Sequence, residues 1–340
     1  MHCNGDPLTQ LMEQLHGWVN EKFFRIFFAT DVHGSDKTFL KFLKAATFYK
    51  CDVLILGGDL TGKTIIPILK NDDGRYEMDL LGGRFSAKDE SELAELEGRV
   101  MLLGFYPYRT TKGEWAEQSA ESSKYDALYD ELAVGRMKKW TDLAAERLAG
   151  TNVPIFVTGG NDDPYPVLEF LRSQNSIISS EDKVIKFGEI FTMVSLGYSN
   201  HTPWKTPREC SEEDLARKID QVASEVPDQT RTIFNFHVPP FKSSIDTAPQ
   251  VDASVNPPKY VLRNGMPIMI SVGSTAIRAA IEKYQPLLGL HGHIHESRGA
   301  IKIGRTICIN PGSEYSEGIL KGVMVNLDDN GVKSYQFTSG

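Results

Sequence analysis

Three histidines fall within five residues in Gly289-Leu290-His291-Gly292-His293-Ile294-His295, and two of them flank a single residue after a glycine. A neutral imidazole binds a first-row divalent metal through one ring nitrogen, and histidines converging on one cavity bind well when oxygen ligands complete the shell. The rest of the chain offers such oxygens at recurrent places. Asp31 and His33 follow the apolar run Phe27-Phe28-Ala29, and Asp59 ends Val53-Leu54-Ile55-Leu56-Gly57-Gly58. Asn161 and Asp162 end Ile155-Phe156-Val157-Thr158-Gly159-Gly160, and His237 ends Thr232-Ile233-Phe234-Asn235-Phe236. Taken singly, Asp-x-His or a glycine-Asp pair is also a common turn or helix cap. Together they predict convergence on a metal site.

The elements that must position these groups are short apolar runs bounded by glycine and separated by helical patterns. Such runs read as buried strands of an α/β sheet, whose ligand sites gather beyond the strand ends. After the first strand, Ser35 or Asp36 caps a helix carrying Phe39, Leu40, Phe42, Leu43 and Ala46 and ending near Tyr49, which completes a βαβ unit. Ahead of it, Leu8, Leu11, Met12, Leu15, Trp18 and Val19 recur at helical spacing, predicting an amphipathic helix over residues 1–22 docked on the protein's own core. Residues 23–340 then form one domain. Within it, residues 71–150 break the alternation and read as a helical insert, with a hairpin near Gly82-Gly83 and helical stretches over 91–103 and 114–148. Because this insert emerges between two site-bearing strands, Tyr106, Tyr108, Arg109 and Trp115 are candidates for a lid. The segments 198–210 and 241–268 read as long irregular loops that shape a pocket. Beyond Ala300, alternating apolar residues at 301–303, 306–309, 323–327 and 333–337 predict antiparallel strands.

Composition narrows the partners. Lys plus Arg total 37 against 45 Asp plus Glu, a formal charge of -8, so no chain-wide basic field attracts long duplex nucleic acid. A small phosphate ester stays compatible, since bound divalent cations reverse the local potential. The four cysteines, Cys3, Cys51, Cys210 and Cys308, have no paired metal spacing and are too few for a disulfide framework, which fits a reducing compartment. With no cationic start, no apolar leader and no membrane-length run, the expected location is cytoplasmic.

The order of the motifs, strand then Asp-x-His, strand then Gly-Asp, strand then Gly-Asn, strand then His, and finally Gly-His-x-His, resembles the calcineurin-like metallophosphoesterase superfamily from about Phe24 to about Phe337. Thr61-Gly62-Lys63, Asn161-Asp162-Asp163-Pro164, His237-Val238-Pro239-Pro240, Gly292 through Ser297 and Asn310-Pro311-Gly312-Ser313-Glu314-Tyr315 are similar to its Icc-related branch. The resemblance implies a four-layer αββα sandwich of two mixed sheets. It implies one divalent metal on Asp31, His33, Asp59 and His295 and a second on Asp59, Asn161, His237 and His293, with Asp59 bridging. Mixed His, Asp and Asn donors suit Mn, Fe, Zn, Co or Ni. The implied reaction is hydrolysis of a small phosphate ester by metal-held water, with a phosphodiester, cyclic nucleotides included, the expected substrate.

Many members carry histidine after the ligand asparagine, where this chain has Asp162. That carboxyl is read either as a catalytic acid with raised pKa or as a turn residue. His291 matches no ligand position and is read as a packing partner of the site, and Asn310 as its buttress. Lys63, Arg208, Arg278 and Arg298 stand near the expected site loops without a fixed role. Two other readings compete. Gly57 through Thr64 satisfies the G-x-x-x-x-G-K-[ST] pattern of a phosphate-cradling P-loop, although Pro67 falls where the required helix would start. A catalytically silent scaffold of the same fold is the other, against which every ligand position holds a competent donor.

Overall fold

A computed structural model describes residues 23–188, 190–255 and 258–340, so the helix expected over 1–22 lies outside the described residues. Two six-stranded mixed sheets organise the chain. The first runs, edge to edge, Gly331–Ser339, Lys321–Asp328, Phe24–Ala29, Val53–Leu56, Ile155–Val157 and Ile178–Ser179. The last four of these are parallel, and the two C-terminal strands join antiparallel at one edge. The second runs Gly299–Ile303, Thr306–Asn310, Leu288–Leu290, Thr232–Phe236, Phe191–Leu196 and Val184–Phe187. The expected C-terminal strands are present but divide between the sheets. Thr306–Asn310 also pairs parallel with Leu288–Leu290, so that group is not purely antiparallel.

Side-chain alternation explains the layering. In Ile26-Phe27-Phe28-Ala29, Ile26 and Phe28 pack with Met193, Ile233, Leu290 and Ile309 of the other sheet, while Phe27 and Ala29 pack with helices. A strand buried on both faces needs a continuous apolar run, which is why these runs stood out in the sequence. The outer face of the first sheet is covered by the helix Asp36–Phe48, whose buried Phe39, Phe42, Leu43 and Ala46 fall at helical spacing. Phe39 stacks on Trp140 of the helix Ser122–Arg147 at 4.2 Å, and Trp140 donates its indole N–H to Asp36 at 2.7 Å. Truncating a ring so enclosed costs about 3–5 kcal/mol. Ser35 is the N-cap of the first helix but makes no side-chain capping bond. Helices Glu212–Ala223 and Thr275–Tyr284 pack against Val194, Leu196, Phe234 and Phe236 of the second sheet.

Two readings of the insert need correction. The hairpin expected near Gly82-Gly83 is present, but it belongs to a larger sheet with further strands, one of which begins upstream of residue 71. A four-stranded sheet orders Gly83–Ala87, Tyr76–Leu80, Ile65–Lys70 and Tyr106–Thr111, with helices at Glu90–Leu102, Lys112–Ala120 and Ser122–Arg147. The β-branched Ile65, Ile66 and Ile68 favour the strand, and pairing with Tyr76–Leu80 is confined to Leu69 and Lys70, which accommodates Pro67 upstream. That strand also removes the P-loop reading: no helix N-terminus follows Lys63-Thr64, so there is no phosphate cradle there. The segment 241–268 is likewise less irregular than expected. Thr247–Pro249 pairs with Met269–Ser271, Val251–Asp252 with Lys259–Tyr260, and Leu262–Arg263 with Met266–Pro267. Strands of two or three residues leave no periodicity to read.

Candidate metal centre

Each candidate donor sits at a strand end, and local backbone geometry turns it inward. Asp31, His33, Asp59 and His293 adopt left-handed backbones, with φ of 54°, 39°, 51° and 65°. Such conformations cost about 1–3 kcal/mol each and persist where surrounding structure fixes them, typically at functional sites. Tight nesting does the fixing. A Cβ on Gly160 would lie 2.0 Å from Asp59 Oδ1, and one on Gly292 would lie 2.4 Å from Asp31 Oδ2. Hydrogen bonds complete the frame: Asp31 accepts the His293 amide at 3.0 Å, and Asp59 accepts the Asp162 amide at 3.0 Å.

The structure brings all seven candidates together. Ligand atoms of Asp31, His33, Asp59 and His295 lie within 4.8 Å of one another, as do those of Asp59, His237 and His293. Asp59 belongs to both groups. Its Oδ2 stands 3.6 Å from His33 Nε2 and its Oδ1 stands 3.4 Å from His237 Nε2. Asn161 joins the second group through Oδ1, 3.1 Å from His237 Nε2. Donors reach the centre from both sheets, with Asp31, Asp59 and Asn161 after strands of the first and His237, His293 and His295 after strands of the second.

Hydrogen bonds on the far side of the rings set which nitrogen faces inward. His237 Nδ1 lies 3.0 Å from the Gly57 carbonyl and His33 Nδ1 lies 3.3 Å from that of Thr61. A carbonyl only accepts, so each neutral ring carries its proton on Nδ1 and presents a bare Nε2 lone pair inward. The Asn161 amide is committed in the same way. Its Nδ2 donates to Thr206 Oγ1 at 2.8 Å and to Asp162 Oδ1 at 3.1 Å, which turns Oδ1 towards His237. An oxygen lone pair and an imidazole lone pair that face each other require a cation or a proton between them.

Electrostatics agree. Burial raises the Asp31 carboxyl, but the His295 hydrogen bond and nearby imidazoles outweigh it and leave a pKa of about 2. Burial likewise opposes ionisation of Asp59, and the charges of His237, His33 and Lys63 still hold it well below the usual range. Burial keeps His33 well below its ordinary value and brings His293 down to about 4, so both rings are neutral, as ligands must be. Burial works against protonating His237 too, yet Asp59 and Asp31 push it up to about 9. A proton there stands where a divalent cation would neutralise the same carboxylates. The donor set, its lone-pair directions and its charge fit a pair of divalent ions.

Around the centre, Lys63 forms an ion pair with Asp162 at the rim. Burial and the Asp59 charge raise Asp162 to about 6, only partly offset by Lys63. Lys63 is the one of the four cations considered from sequence that reaches the site. Arg208 is buried against Glu181, Arg278 pairs with Glu282, and Arg298 lies over the Phe337 ring. His291 donates from Nδ1 to the Phe236 carbonyl at 2.8 Å, directly before His237, and burial lowers it to about 4. Asn310 donates from its amide to the Gly292 and Ile294 carbonyls at 3.3 and 2.9 Å, on either side of His293.

Some of the framework escaped the sequence reading. Buried Asp163 accepts the amides of Leu60, Thr61 and Gly160, tying the Asp59 loop to the Asn161 loop. Thr206 and Arg208, which orient Asn161 and its preceding carbonyl, come from a loop without any motif. Of the lid candidates, Tyr106 is buried and accepts the Gly62 amide at 2.9 Å, Tyr108 packs beside Trp115, and Arg109 pairs outward with Glu97 and Glu90. It is Tyr125 and Tyr129, from the following helix, that line a cavity beside the centre.

No family model matches the chain. The uncharacterized protein MJ1162 of Methanocaldococcus jannaschii is 34% identical over 179 residues, spanning 52% of this chain and 72% of its own length. One solved structure aligns over 94% of this chain and 99% of its own, with a TM-score of 0.57 and 14% identity. A structurally and functionally characterised archaeal phosphodiesterase aligns over 93% and 99%, but at a TM-score of 0.36 and 12% identity, too distant to carry weight. With 34% identity over 72% of that relative's length, the chain belongs to one family with MJ1162, and it shares the fold of the solved structure aligned at a TM-score of 0.57.

Proposed function

We propose that the protein is a metal-dependent phosphoric ester hydrolase acting on a small phosphodiester, and that its layers form one αββα domain over residues 23–340. The observation that carries the reading is the meeting of His237 Nε2 and Asn161 Oδ1 at 3.1 Å, with the far edge of each side chain already committed to a neighbour. Asp31, His33, Asp59 and His295 would hold one divalent ion, and Asp59, Asn161, His237 and His293 the other. Bound there, the ions supply Lewis acidity and lower the pKa of water to about 7, as metal-assisted hydrolysis requires.

The chain's own groups do the rest. Lys63 offers an ammonium to a phosphate oxygen at the rim, which offsets charge as it accumulates in the transition state. Asp162, raised to about 6 by burial and by Asp59, can carry the proton that a departing alkoxide takes up. The helical part of the insert, through Tyr125 and Tyr129, walls one side of the approach to the centre. Manganese, iron, zinc, cobalt and nickel all suit these donors.

The test is metal analysis of purified protein after loading with each ion, followed by turnover of bis-p-nitrophenyl phosphate. We expect about two ions per chain and metal-dependent release of nitrophenol. Metal-replete protein inert towards phosphate esters would overturn the hydrolase reading in favour of a scaffold.

A further inference from the structure

Two cavities adjoin the centre and share four lining residues. One of about 550 Å³ and one of about 870 Å³ are both lined by Lys63, Asp162, Trp204 and His295. Each volume alone suits a whole small ligand. Their walls differ in chemistry. The first is built largely from the short-stranded arm over 247–271 and its neighbours, with Phe241, Val251, Ile270 and Val272 presenting apolar surface and Glu212, Glu296 and His201 also in its lining. The second is faced by the rings of Tyr125, Tyr129, Tyr165 and Tyr315, with the carboxylates of Asp126 and Asp130 beside them.

A phosphodiester has two ester arms that diverge from phosphorus. A monoester would fill one cavity, and a cyclic diester, whose arms close into one ring, would also fill only one. On the hydrolase reading above, we infer that the substrate is an acyclic, asymmetric phosphodiester. An aryl or alkyl arm lies against Phe241, Val251, Ile270 and Val272 of the first cavity. A ring bearing hydroxyl or amino groups, such as a nucleoside, stacks on the tyrosines and donates to Asp126 and Asp130. Lys63, common to both walls, holds the phosphate between the arms, with Asp162 beside it to protonate the departing oxygen. Hydrolysis breaks one P–O ester bond: water supplies hydroxide to phosphorus and a proton to the departing oxygen, giving a monoester and an alcohol or phenol.

Three probes separate the cavities: thymidine 5′-(p-nitrophenyl phosphate), p-nitrophenyl methyl phosphate and adenosine 2′,3′-cyclic phosphate. Ile270→Glu places a charge in the apolar surface of the first cavity, and Tyr165→Ala strips a ring from the other; Val251→Ser replaces the first variant if it fails to fold. With manganese content unchanged, each variant should raise KM for the thymidine ester about tenfold at similar kcat. The methyl ester, which leaves the tyrosine cavity vacant, should respond to the Ile270 variant alone. Equal responses of both esters to Tyr165→Ala, no response to it, or a wild-type preference for the cyclic phosphate would overturn this inference while leaving a phosphoesterase in place. Failure of the manganese-loaded wild type to cleave any of the three would instead overturn the hydrolase reading, and this inference with it.

Discussion

The metal-donor shell and the cavity walls are built on different principles. The shell hangs from the ends of buried strands, with left-handed ligand residues, glycines too close to a neighbour to carry a Cβ, and imidazoles steered by backbone carbonyls. The walls come from the insert, the 198–210 loop and the 247–271 arm, where strands are short and large apolar side chains such as Ile270 are exposed. The first arrangement preorganises chemistry on a rigid scaffold, and the second supplies surfaces that change without disturbing it. Substitutions in the shell should therefore alter metal content and turnover together. Substitutions in the walls should alter KM and leave metal in place.

The sharpest way to break that contrast is Asp59→Asn, which weakens both halves of the shell at once. Turnover of bis-p-nitrophenyl phosphate should fall about a thousandfold, and metal analysis should show loss of bound ions. Unchanged turnover would place the chemistry elsewhere. Next comes acid stability. His291 is lowered from 6.5 to about 4 by burial, so between those pH values the unfolded chain takes up a proton that the folded chain refuses. Its contribution is intact above pH 6.5 and fades as pH falls towards 4, on the order of 3 kcal/mol in all. Denaturant titrations of metal-stripped wild type and His291→Asn should differ more at pH 7 than at pH 4.5.

A smaller effect tests whether a loop residue can belong to the shell. Thr206→Val deletes the acceptor of the Asn161 amide, and metal affinity at the second position should fall about 10–100-fold, with Thr206→Ser restoring most of it. Competition against a fluorescent chelator would measure the change. The smallest effect belongs to the part of the arm outside the cavity linings: Met266→Ser, at a side chain 72% exposed, should leave the unfolding free energy within about 0.5 kcal/mol of wild type. A large loss there would mean that the arm is structural.

What the sequence disclosed and what it withheld follow the same division. Asp31, Asp59, Asn161 and His237 were legible because a buried parallel strand needs an unbroken apolar run, and the run ends where the ligand begins. Thr206 was not legible, since its part is set by one hydrogen bond across 45 residues of sequence. Arg208 had no fixed role in the sequence, and its part, buried against Glu181 and donating to the Gly160 carbonyl, exists only where the folded chain brings these groups together. The strand Ile65–Lys70 was obscured by its neighbours. Charged helices downstream dominated the pattern, and Pro67 counted against a helix without pointing to a sheet.

That the donors arrive from both sheets has a mechanical consequence. Ions seated among them would act as rivets, since neither half of the molecule could peel away without surrendering ligands. Ligand binding confined to the native state adds RT ln(1 + [L]/Kd), about 4 kcal/mol at a thousandfold excess over Kd. Chelation should thus lower the melting temperature as well as silence the enzyme, and hydrogen exchange should quicken first at the strand ends around Asp59 and His237.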